Sequence, residues 1–345
     1  MGKVKKGKII TFGEILLRLA PEGYYRFIQA TRFGATYGGG EANVAVSLAQ
    51  FGLDVAFVTK LPNHELGQAA VNKLREFGVD TSKIVRGGRR IGIYFLEKGA
   101  SQRPSKVIYD RAGSAIAEAQ AADFDWDRIF EGACWFHVTG ITPALGDTLA
   151  GICFEALTLA RAKGLTISWD LNYRKNLWSR EKAGAVLGKL MPLVDLCIAN
   201  EEDAADVFGI HAKNTSVSSG RISAEGYQEV AKTLKDRFGF KQVAITLRES
   251  LSANDNHWAA MLYDGEEYFL SRKYAIHIVD RVGGGDSFGA GLIYGSLMDF
   301  PPQETLEFAV AASGLKHSIE GDFNHVTVEE ALKLAGGDGS GRVQR

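Results

Sequence analysis

Residues 280–291 read Asp-Arg-Val-Gly-Gly-Gly-Asp-Ser-Phe-Gly-Ala-Gly (DRVGGGDSFGAG), and this stretch says most about the chain. Three successive glycines can adopt backbone conformations in which several N–H groups point at one anion. A helical pattern follows, and the N-terminal dipole of a helix also favours negative charge. Asp286 stands at that helix start, where a carboxylate can accept a proton from a hydroxyl that attacks phosphorus. The stretch therefore predicts an anion-binding loop with a general base beside it.

Two other interpretations of the same letters stay open. The glycines can form a flexible loop, with Asp286 acting as the N-cap of the next helix. Residues 285–289 (GDSFG) also match the GxSxG elbow that carries the nucleophile of serine hydrolases. A hydrolase would need a strand before the elbow and a later acid and histidine, for which Asp322 with His317 or His325 are candidates.

A second glycine cluster, YGGGEANVAVSLAQFG, occupies residues 37–52 and also precedes a helical pattern. Backbone without side chains can approach a small polar ligand closely there, although a tight turn packed against a sheet gives the same pattern. The sequence contains neither GxGxxG nor GxxxxGK followed by Ser or Thr. These absences argue against a dinucleotide-dependent dehydrogenase and a Walker-type NTPase.

Along the chain, short β-branched segments alternate with longer helical stretches. Such alternation is typical of βαβ units and of a mostly parallel sheet covered on both faces. We therefore predict an α/β fold with one central, mostly parallel sheet flanked by helices. The predicted strands are residues 8–12, 55–59, 134–139, 165–169, 195–199 and 242–247. The predicted helices are residues 43–51, 65–77, 145–163, 180–191, 201–208, 224–238, 286–298, 303–317 and 327–334.

Two segments, residues 14–37 and 87–112, carry strand patterns with no helix between the strands. Antiparallel hairpins fit these segments, and together they would form a small sheet that serves as a lid or as a dimer surface. We assign residues 1–335 to one domain with this lid inserted in it. Residues 336–345 (GGDGSGRVQR) are predicted to form a disordered tail.

The composition excludes several classes of protein. The chain has 345 residues, of which 46% are hydrophobic and 23% charged, as is typical of globular proteins. A formal net charge of −1 argues against nucleic acid and anionic membranes as partners. The sequence has no apolar run long enough to predict a membrane-spanning helix. Three widely spaced cysteines, Cys134, Cys153 and Cys197, predict buried thiols and a reducing cytoplasm.

The two glycine motifs, in this order and within residues 8–335, resemble those of the ribokinase/phosphofructokinase-B family of sugar kinases. The resemblance implies a ribokinase-like three-layer fold with a small β-sheet lid. It also implies a kinase that uses ATP and Mg²⁺. The family motif DxTGAGDxF implies that Gly283, Gly284 and Gly285 form the anion hole for the transferring phosphoryl group and that Asp286 is the catalytic base.

Other motifs extend the resemblance and differ from it in detail. Glu41 stands where the N-terminal GGxxxN motif usually has Pro or Gly before its Ala-Asn pair. The NxxE motif, which helps to organise magnesium in the family, appears as residues 200–203 (NEED). Its acid is shortened to Asp203, which implies metal binding through water. Val282 replaces the usual Thr of the C-terminal motif, and the resemblance leaves open a monovalent-cation site near Asp280.

Several short segments are most similar to one branch of the family, the 2-keto-3-deoxygluconate kinases: TFGEILLRLAP, YGGGEANVAVSLAQFG, YDRAGSA, DLNYR and ITLRESLSANDNHWAAML. This branch implies transfer of the γ-phosphoryl group of ATP to the terminal hydroxyl of a six-carbon keto acid. An acidic substrate needs fixed positive charge, and Arg18 stands where neutral-sugar relatives have an Asp. The resemblance implies the substrate-binding residues Arg18, Gly39, Asn43, Tyr94, Tyr109, Arg111, Arg174, Asp286 and Asp322.

The resemblance also implies a nucleotide groove. Its residues are Asn172, Asn200, Thr246, Arg248, Gly283 and Gly285. The first four follow predicted parallel strands. Ligands of open α/β sheets bind beyond the carboxyl ends of such strands. Three alternatives remain: a kinase of a neutral sugar such as fructose or ribose, a nucleoside kinase, and a non-catalytic sugar sensor. The sequence does not separate the gluconate from the galactonate epimer of the substrate. Exposed lid strands need covering, which predicts a homo-oligomer.

Overall fold

The computed structural model describes residues 7–200, 202–212, 224–339 and 341. Its strands are β1 (Lys8–Phe12), β2 (Leu16–Ala20), β3 (Gly34–Gly38), β4 (Val55–Val58), β5 (Lys60–Leu61), β6 (Val85–Arg86), β7 (Gly92–Glu97), β8 (Lys106–Asp110), β9 (Ala133–Thr139), β10 (Thr166–Asp170), β11 (Leu196–Ala199), β12 (Gln242–Ser250), β13 (Asp255–Tyr263), β14 (Tyr268–Leu270) and β15 (Tyr274–His277). Its α-helices are α1 (Gly40–Gln50), α2 (Glu65–Glu76), α3 (Trp126–Ile129), α4 (Ile141–Ala144), α5 (Asp147–Ala162), α6 (Arg180–Leu190), α7 (Asp203–Phe208), α8 (Ala224–Phe238), α9 (Gly284–Leu297), α10 (Pro302–Lys316) and α11 (Val328–Ala335).

A large central sheet has the strand order β14-β13-β12-β11-β10-β9-β1-β4, and β15 also pairs with β13. The six strands from β12 to β4 run parallel. The strands β13, β14 and β15 extend the sheet in the antiparallel direction. The mostly parallel α/β sheet predicted from the sequence is therefore confirmed.

Helices cover both faces of this sheet, as the alternation of side chains along its strands requires. In β1, Ile10 and Phe12 belong to one apolar cluster, together with residues of α5, α6 and α8. Ile9 belongs to the other cluster, together with residues of α1, α2, α9 and α10. The result is a three-layer architecture with an apolar core on each face of the central sheet, as the resemblance implied.

A second, four-stranded sheet has the order β3-β2-β7-β8 and is called the small sheet below. Its strands come from the two segments in which hairpins were predicted. The pairs β2–β3 and β7–β8 are antiparallel, as predicted. The two halves are joined by parallel pairing of β2 with β7, which no local pattern indicated.

Some element boundaries differ from the predicted ones. The helices α1 and α9 begin at Gly40 and Gly284, so part of each glycine cluster forms the first helical turn rather than a preceding loop. The helix predicted from residue 201 begins at Asp203, and residue 201 lies outside the described residues. Much of the predicted tail, residues 340 and 342–345, also lies outside them. Within the described ranges, no helix is both long and apolar enough to cross a membrane.

Candidate active site

A cavity of about 420 Å³ lies between the carboxyl ends of β10, β11 and β12 and the small sheet. Ligand sites of open parallel sheets are found at this edge. Of the predicted site residues, the following line it: Gly39, Asn43, Tyr94, Tyr109, Arg111, Asn172, Arg174, Asn200, Asp203, Thr246, Arg248, Gly283, Gly285, Asp286 and Asp322. Arg18 and Gly284 are the predicted residues that do not line the cavity. The structure thus brings the two glycine motifs, far apart in sequence, to one site.

Asp286 occupies the first turn of α9 and is half-buried at the cavity wall. The Asn43 amide donates a hydrogen bond of 2.6 Å to its Oδ2, and the Gly39 N–H donates to Asn43 Oδ1 at 3.2 Å. Burial raises the pKa of the Asp286 carboxyl to about 6, although the Asn43 bond and the charge of Arg174 act in the opposite direction. A carboxylate with a pKa near neutrality is well suited to general-base catalysis.

The glycine loop is built so that side chains are excluded. Gly283 has φ +84°, a conformation that favours glycine, and a Cβ there would lie 2.0 Å from the Asp322 carbonyl oxygen. A Cβ on Gly284 would overlap the His317 ring, so Gly284 packs against that ring instead of facing the cavity. Gly285 has open space at its Cβ position. The Gly284 and Ser287 N–H groups donate to the carbonyl oxygens of Arg281 and Gly283. The open space at Gly285 leaves room for an anion at the first turn of α9.

The serine-hydrolase interpretation finds no support in this geometry. Ser287 is buried and does not line the cavity. Its Oγ accepts a hydrogen bond of 2.7 Å from the Asn324 amide, and His317 Nδ1 is 2.7 Å from the carbonyl oxygen of Ser313. The serine is therefore a packing residue of α9.

Asp322 lines the cavity and belongs to a buried network of charges. Arg18 donates hydrogen bonds from Nη1 to Asp322 Oδ1 at 2.8 Å and from Nη2 to Asp280 Oδ2 at 2.5 Å. The Tyr94 hydroxyl donates to Asp322 Oδ2 at 2.6 Å. Arg18, predicted to face the acid group of the substrate, is thus occupied by two carboxylates, and its guanidinium fixes Asp322 in place.

Two of the arginines that line the cavity, Arg111 and Arg174, differ in what already binds them. Arg111 forms a buried ion pair with Glu14, whose other oxygen accepts a 2.7 Å bond from Ser114 Oγ. Arg174 has one side-chain hydrogen bond within the described residues, a long one of 3.4 Å to the carbonyl oxygen of Tyr173. Arg174 is therefore the guanidinium with the greater free capacity for an anion.

Three carboxylates, Asp170, Asp203 and Asp286, line one wall of the cavity. Asp203 accepts backbone N–H bonds from Tyr173 at 3.0 Å and Asn200 at 2.9 Å, so it ties together the chain segments after β10 and β11. Burial and the charges of Asp203 and Asp286 hold the pKa of Asp170 well above its usual range. A cation beside these acids would relieve their repulsion.

Among the site residues that the sequence analysis missed are two acids, Asp170 and Glu14. Asp170 is the first letter of the segment DLNYR, and Glu14 follows β1 almost directly. Each is an acidic residue next to the carboxyl end of a buried strand. That position is the signal that could have identified both.

Asn172 adopts a left-handed conformation with φ +39°, which is uncommon outside glycine. The residue follows β10 and lines the cavity. Strained backbone concentrates at binding sites, where the surrounding structure holds it in place. The conformation supports the prediction that Asn172 contacts a ligand.

Glu41 is a buried acid beneath the cavity, and its Oε1 accepts hydrogen bonds from the Thr139 N–H and hydroxyl and from the Thr142 hydroxyl. Burial raises its pKa to about 7. Between about pH 4.3 and pH 7, Glu41 is protonated in the folded protein and ionised in the unfolded chain. The free energy of unfolding therefore falls as the pH rises towards 7.

We expect Glu41→Gln to abolish this loss of stability, because the amide oxygen still accepts the threonine bonds and carries no charge. The variant should exceed the parent in free energy of unfolding at pH 8 by up to about 3 kcal/mol. Urea unfolding at pH 5 and pH 8 measures the difference, with exposed Glu131→Gln as the control. The same pH dependence in all three proteins would contradict the prediction.

Comparison with known proteins gives consistent matches along the chain. The family model described as pfkB family carbohydrate kinase matches residues 6–324. A 2-dehydro-3-deoxygalactonokinase from Haloferax volcanii is 32% identical over 96% of this chain and 98% of its own. A 2-dehydro-3-deoxygluconokinase from Bacillus subtilis is 28% identical over 94% and 93%. The crystal structure of a 2-dehydro-3-deoxygluconokinase from Thermotoga maritima superposes with a TM-score of 0.93, at 55% identity, covering 96% of this chain and 100% of that one.

Proposed function

The chain belongs to the pfkB family of carbohydrate kinases, and from this premise we propose that it phosphorylates the terminal hydroxyl of a keto sugar acid. The substrate we propose is 2-keto-3-deoxygluconate, also called 2-dehydro-3-deoxygluconate, and the product is its 6-phosphate. The observation that carries the proposal is the presence of Arg111 and Arg174 in the same cavity as the base Asp286. The names of the three relatives described above support the same class of substrate.

In the proposed mechanism, Asp286 accepts the proton of the terminal hydroxyl as the hydroxyl oxygen attacks the γ-phosphorus of ATP. The Asn43 amide holds the carboxylate in position. The N–H groups of the first turn of α9 donate to the oxygens of the transferring phosphoryl group. Asn172, Asn200, Thr246 and Arg248 line the cavity and would bind the nucleotide. The small sheet excludes water from the acceptor, which limits hydrolysis of ATP.

Magnesium fits this site as a cation bound mainly by water and phosphate oxygens. Among the described residues, no three His, Cys, Asp or Glu side chains form a ready-made metal cage. Mg²⁺ usually keeps several of its water ligands and is bound by one or two carboxylates. Asp170 and Asp203 can supply these carboxylates through bound water. Bound there, it would neutralise charge on the phosphates.

Acceptor specificity tests the proposal directly. The experiment is a coupled assay of ADP release with Mg-ATP and a panel of 2-keto-3-deoxygluconate, 2-keto-3-deoxygalactonate, gluconate, fructose, ribose and adenosine. We expect turnover confined to the keto acids, with the gluconate epimer preferred. Turnover on fructose, ribose or adenosine would contradict the role given to the arginines. Absence of turnover on every acceptor would favour a sugar sensor.

Catalysis should depend on the ionisation of Asp286. Because burial raises its pKa to about 6, kcat/KM should be constant above pH 7 and fall about tenfold per unit below pH 6, as the base becomes protonated. The Asn43 bond lowers this pKa. Asn43→Ala should therefore move the acid limb to higher pH. A limb that stays at the same pH in Asn43→Ala would contradict the assignment of this titration to Asp286.

We further propose that the chain forms a homo-oligomer through the small sheet. The edge strand β8 is exposed along its whole length and presents Val107 and Ile108 to solvent. Ile28, in the connection between β2 and β3, is 91% exposed. Apolar edge strands are normally covered by a partner.

Ile108→Asp is expected to convert the oligomer into monomers, because a charge at the covered edge is costly to desolvate. Light scattering coupled to size-exclusion chromatography measures the mass. Phe154→Asp, at an exposed apolar residue of α5 outside the small sheet, is the matched control and should leave the mass unchanged. A monomeric parent protein, or equal masses for all three, would contradict the proposed interface.

We place the reaction in the cytoplasm. No disulfide forms among Cys134, Cys153 and Cys197, all of which the structure describes, and the last two are buried. Thiols persist in a reducing compartment, where ATP is also available.

A further inference from the structure

Lys316, the last residue of α10, is completely buried. Its ammonium donates hydrogen bonds to two backbone carbonyl oxygens, of Ile319 at 3.2 Å and of Gly321 at 2.6 Å. Lysines are almost never fully buried unless they are paired, because removing an ammonium from water is costly. A buried lysine at this position therefore calls for a physical reason.

The reason lies in the charges that surround it. Burial lowers the pKa of the Lys316 ammonium, whereas the charges of Asp280 and Asp322, both buried, act in the opposite direction and favour its charged form. The same two carboxylates share the single guanidinium of Arg18. Arg18, Lys316, Asp280 and Asp322 thus form a buried cluster with as many basic as acidic side chains. Without the ammonium, one guanidinium would face two carboxylates.

The cluster lies directly behind the anion-binding loop. The Cβ position of Gly283 is 3.2 Å from Lys316 Cε and 2.0 Å from the Asp322 carbonyl oxygen. The Gly321 N–H donates to Asp280 Oδ2, and the Val282 N–H donates to Asp280 Oδ1, both at 3.2 Å. The segment of residues 319–322 and the glycine loop are therefore held together through Asp280 and the Lys316 ammonium.

Carbonyl oxygens beside carboxylates are the donor set that a potassium ion takes when it loses its hydration shell. The sequence resemblance left open a monovalent-cation site near Asp280. In this chain, the Lys316 ammonium already donates hydrogen bonds to the carbonyl oxygens of Ile319 and Gly321. The residues present therefore do not fit a dissolved cation in that place.

We propose that Lys316 is a built-in monovalent cation, a positioning residue that fixes the anion-binding loop and makes the enzyme independent of dissolved potassium. The covalently attached ammonium supplies the positive charge that a potassium ion would supply from solution. The inference deepens the proposed kinase function and rests on it. Lys316 touches neither the acceptor nor the nucleotide and acts through the backbone of residues 319–322 and Gly283.

The test compares the parent protein with Lys316→Ala and Lys316→Met in chloride salts of potassium, ammonium and tetramethylammonium at one ionic strength. Lys316→Ala leaves space for an ion beside the carbonyl oxygens, whereas Lys316→Met fills the space without charge. In tetramethylammonium, both variants should lose about 10²-fold in kcat, as expected for a displaced loop. Potassium or ammonium should restore Lys316→Ala at least tenfold and leave Lys316→Met unchanged.

Thermal unfolding without substrates is the second measurement, and it does not depend on the activity. Potassium should raise the Tm of Lys316→Ala above its value in tetramethylammonium and should not do so for the parent protein, because binding stabilises only a protein with a site. A potassium requirement in the parent, by activity or by Tm, would overturn the proposal. So would a Lys316→Ala variant whose Tm and activity ignore the cation. If the kinase function itself were wrong, the parent would lack turnover while the Tm comparison would still decide the role of Lys316.

Discussion

Replacing Asp286 by Asn is expected to lower kcat by about 10²–10⁴-fold, the usual contribution of general-base catalysis. The amide is nearly identical in shape but cannot accept the proton of the attacking hydroxyl. KM for the keto acid should change little, since Asn43 and the glycine loop keep their positions. The coupled ADP assay at pH 8, where the Asp286 carboxylate of the parent is ionised, measures both constants.

Stability separates a chemical effect of this variant from a structural one. Burial raises the pKa of Asp286, and the charge of Asp322 raises it further, so removing the charge should not lower the Tm. Ser287→Ala, at the next position, is the matched control because it removes only the contact with Asn324. Near-normal turnover of Asp286→Asn, or a comparable loss in Ser287→Ala, would exclude Asp286 as the base.

Replacing Arg174 by Met is expected to raise KM for the keto acid on the order of tenfold or more, because the carboxylate of the substrate would lose its charged partner. Arg174 is the better residue to test, since Arg111 neutralises the buried Glu14. Removing Arg111 would leave that acid unpaired and destabilise the fold by about 3–5 kcal/mol. The assay is run at pH 8 because Arg174 also lowers the pKa of Asp286.

Two comparisons sharpen this second experiment. Arg174→Lys keeps the charge but loses the planar fork, and its KM should lie between those of the parent and Arg174→Met. Fructose, which has no carboxylate, is the second comparison and should give no turnover with either the parent or Arg174→Met. A KM for the keto acid within threefold of the parent in Arg174→Met would show that the carboxylate binds elsewhere.

Much of the fold could be predicted from the sequence because each parallel strand and helix depends mainly on its own residues. The strand β13 was not predicted, since it begins with Asp255, Asn256 and His257, and the first two residue types are depleted in strands. Its pairing with β12 and β15 stabilises it instead. The parallel pairing of β2 with β7 depends in the same way on contacts between distant segments.

The site residues likewise divide into those that local sequence predicts and those that depend on contacts between distant segments. Residues that follow strands of a parallel sheet meet at one edge whatever the details of packing, so Asn172 and Asn200 could be placed together in advance. The glycine motifs were assigned to the same site through the family resemblance. The role of Arg18 could not be inferred, because its partners Asp280 and Asp322 lie 262 and 304 residues away. No local pattern indicates which carboxylate a given arginine neutralises.

The packing of α1 against α9 also determines when this protein can become functional during its synthesis. The α1 residues Ala42, Val44 and Val46 share an apolar cluster with Phe288 and Ile293 of α9. At about 5–20 residues per second, the ribosome delivers α9 roughly 10–50 s after α1. Throughout that interval the nascent chain carries an uncovered apolar helix face. Chains terminated before residue 284 should therefore aggregate more readily than the full chain.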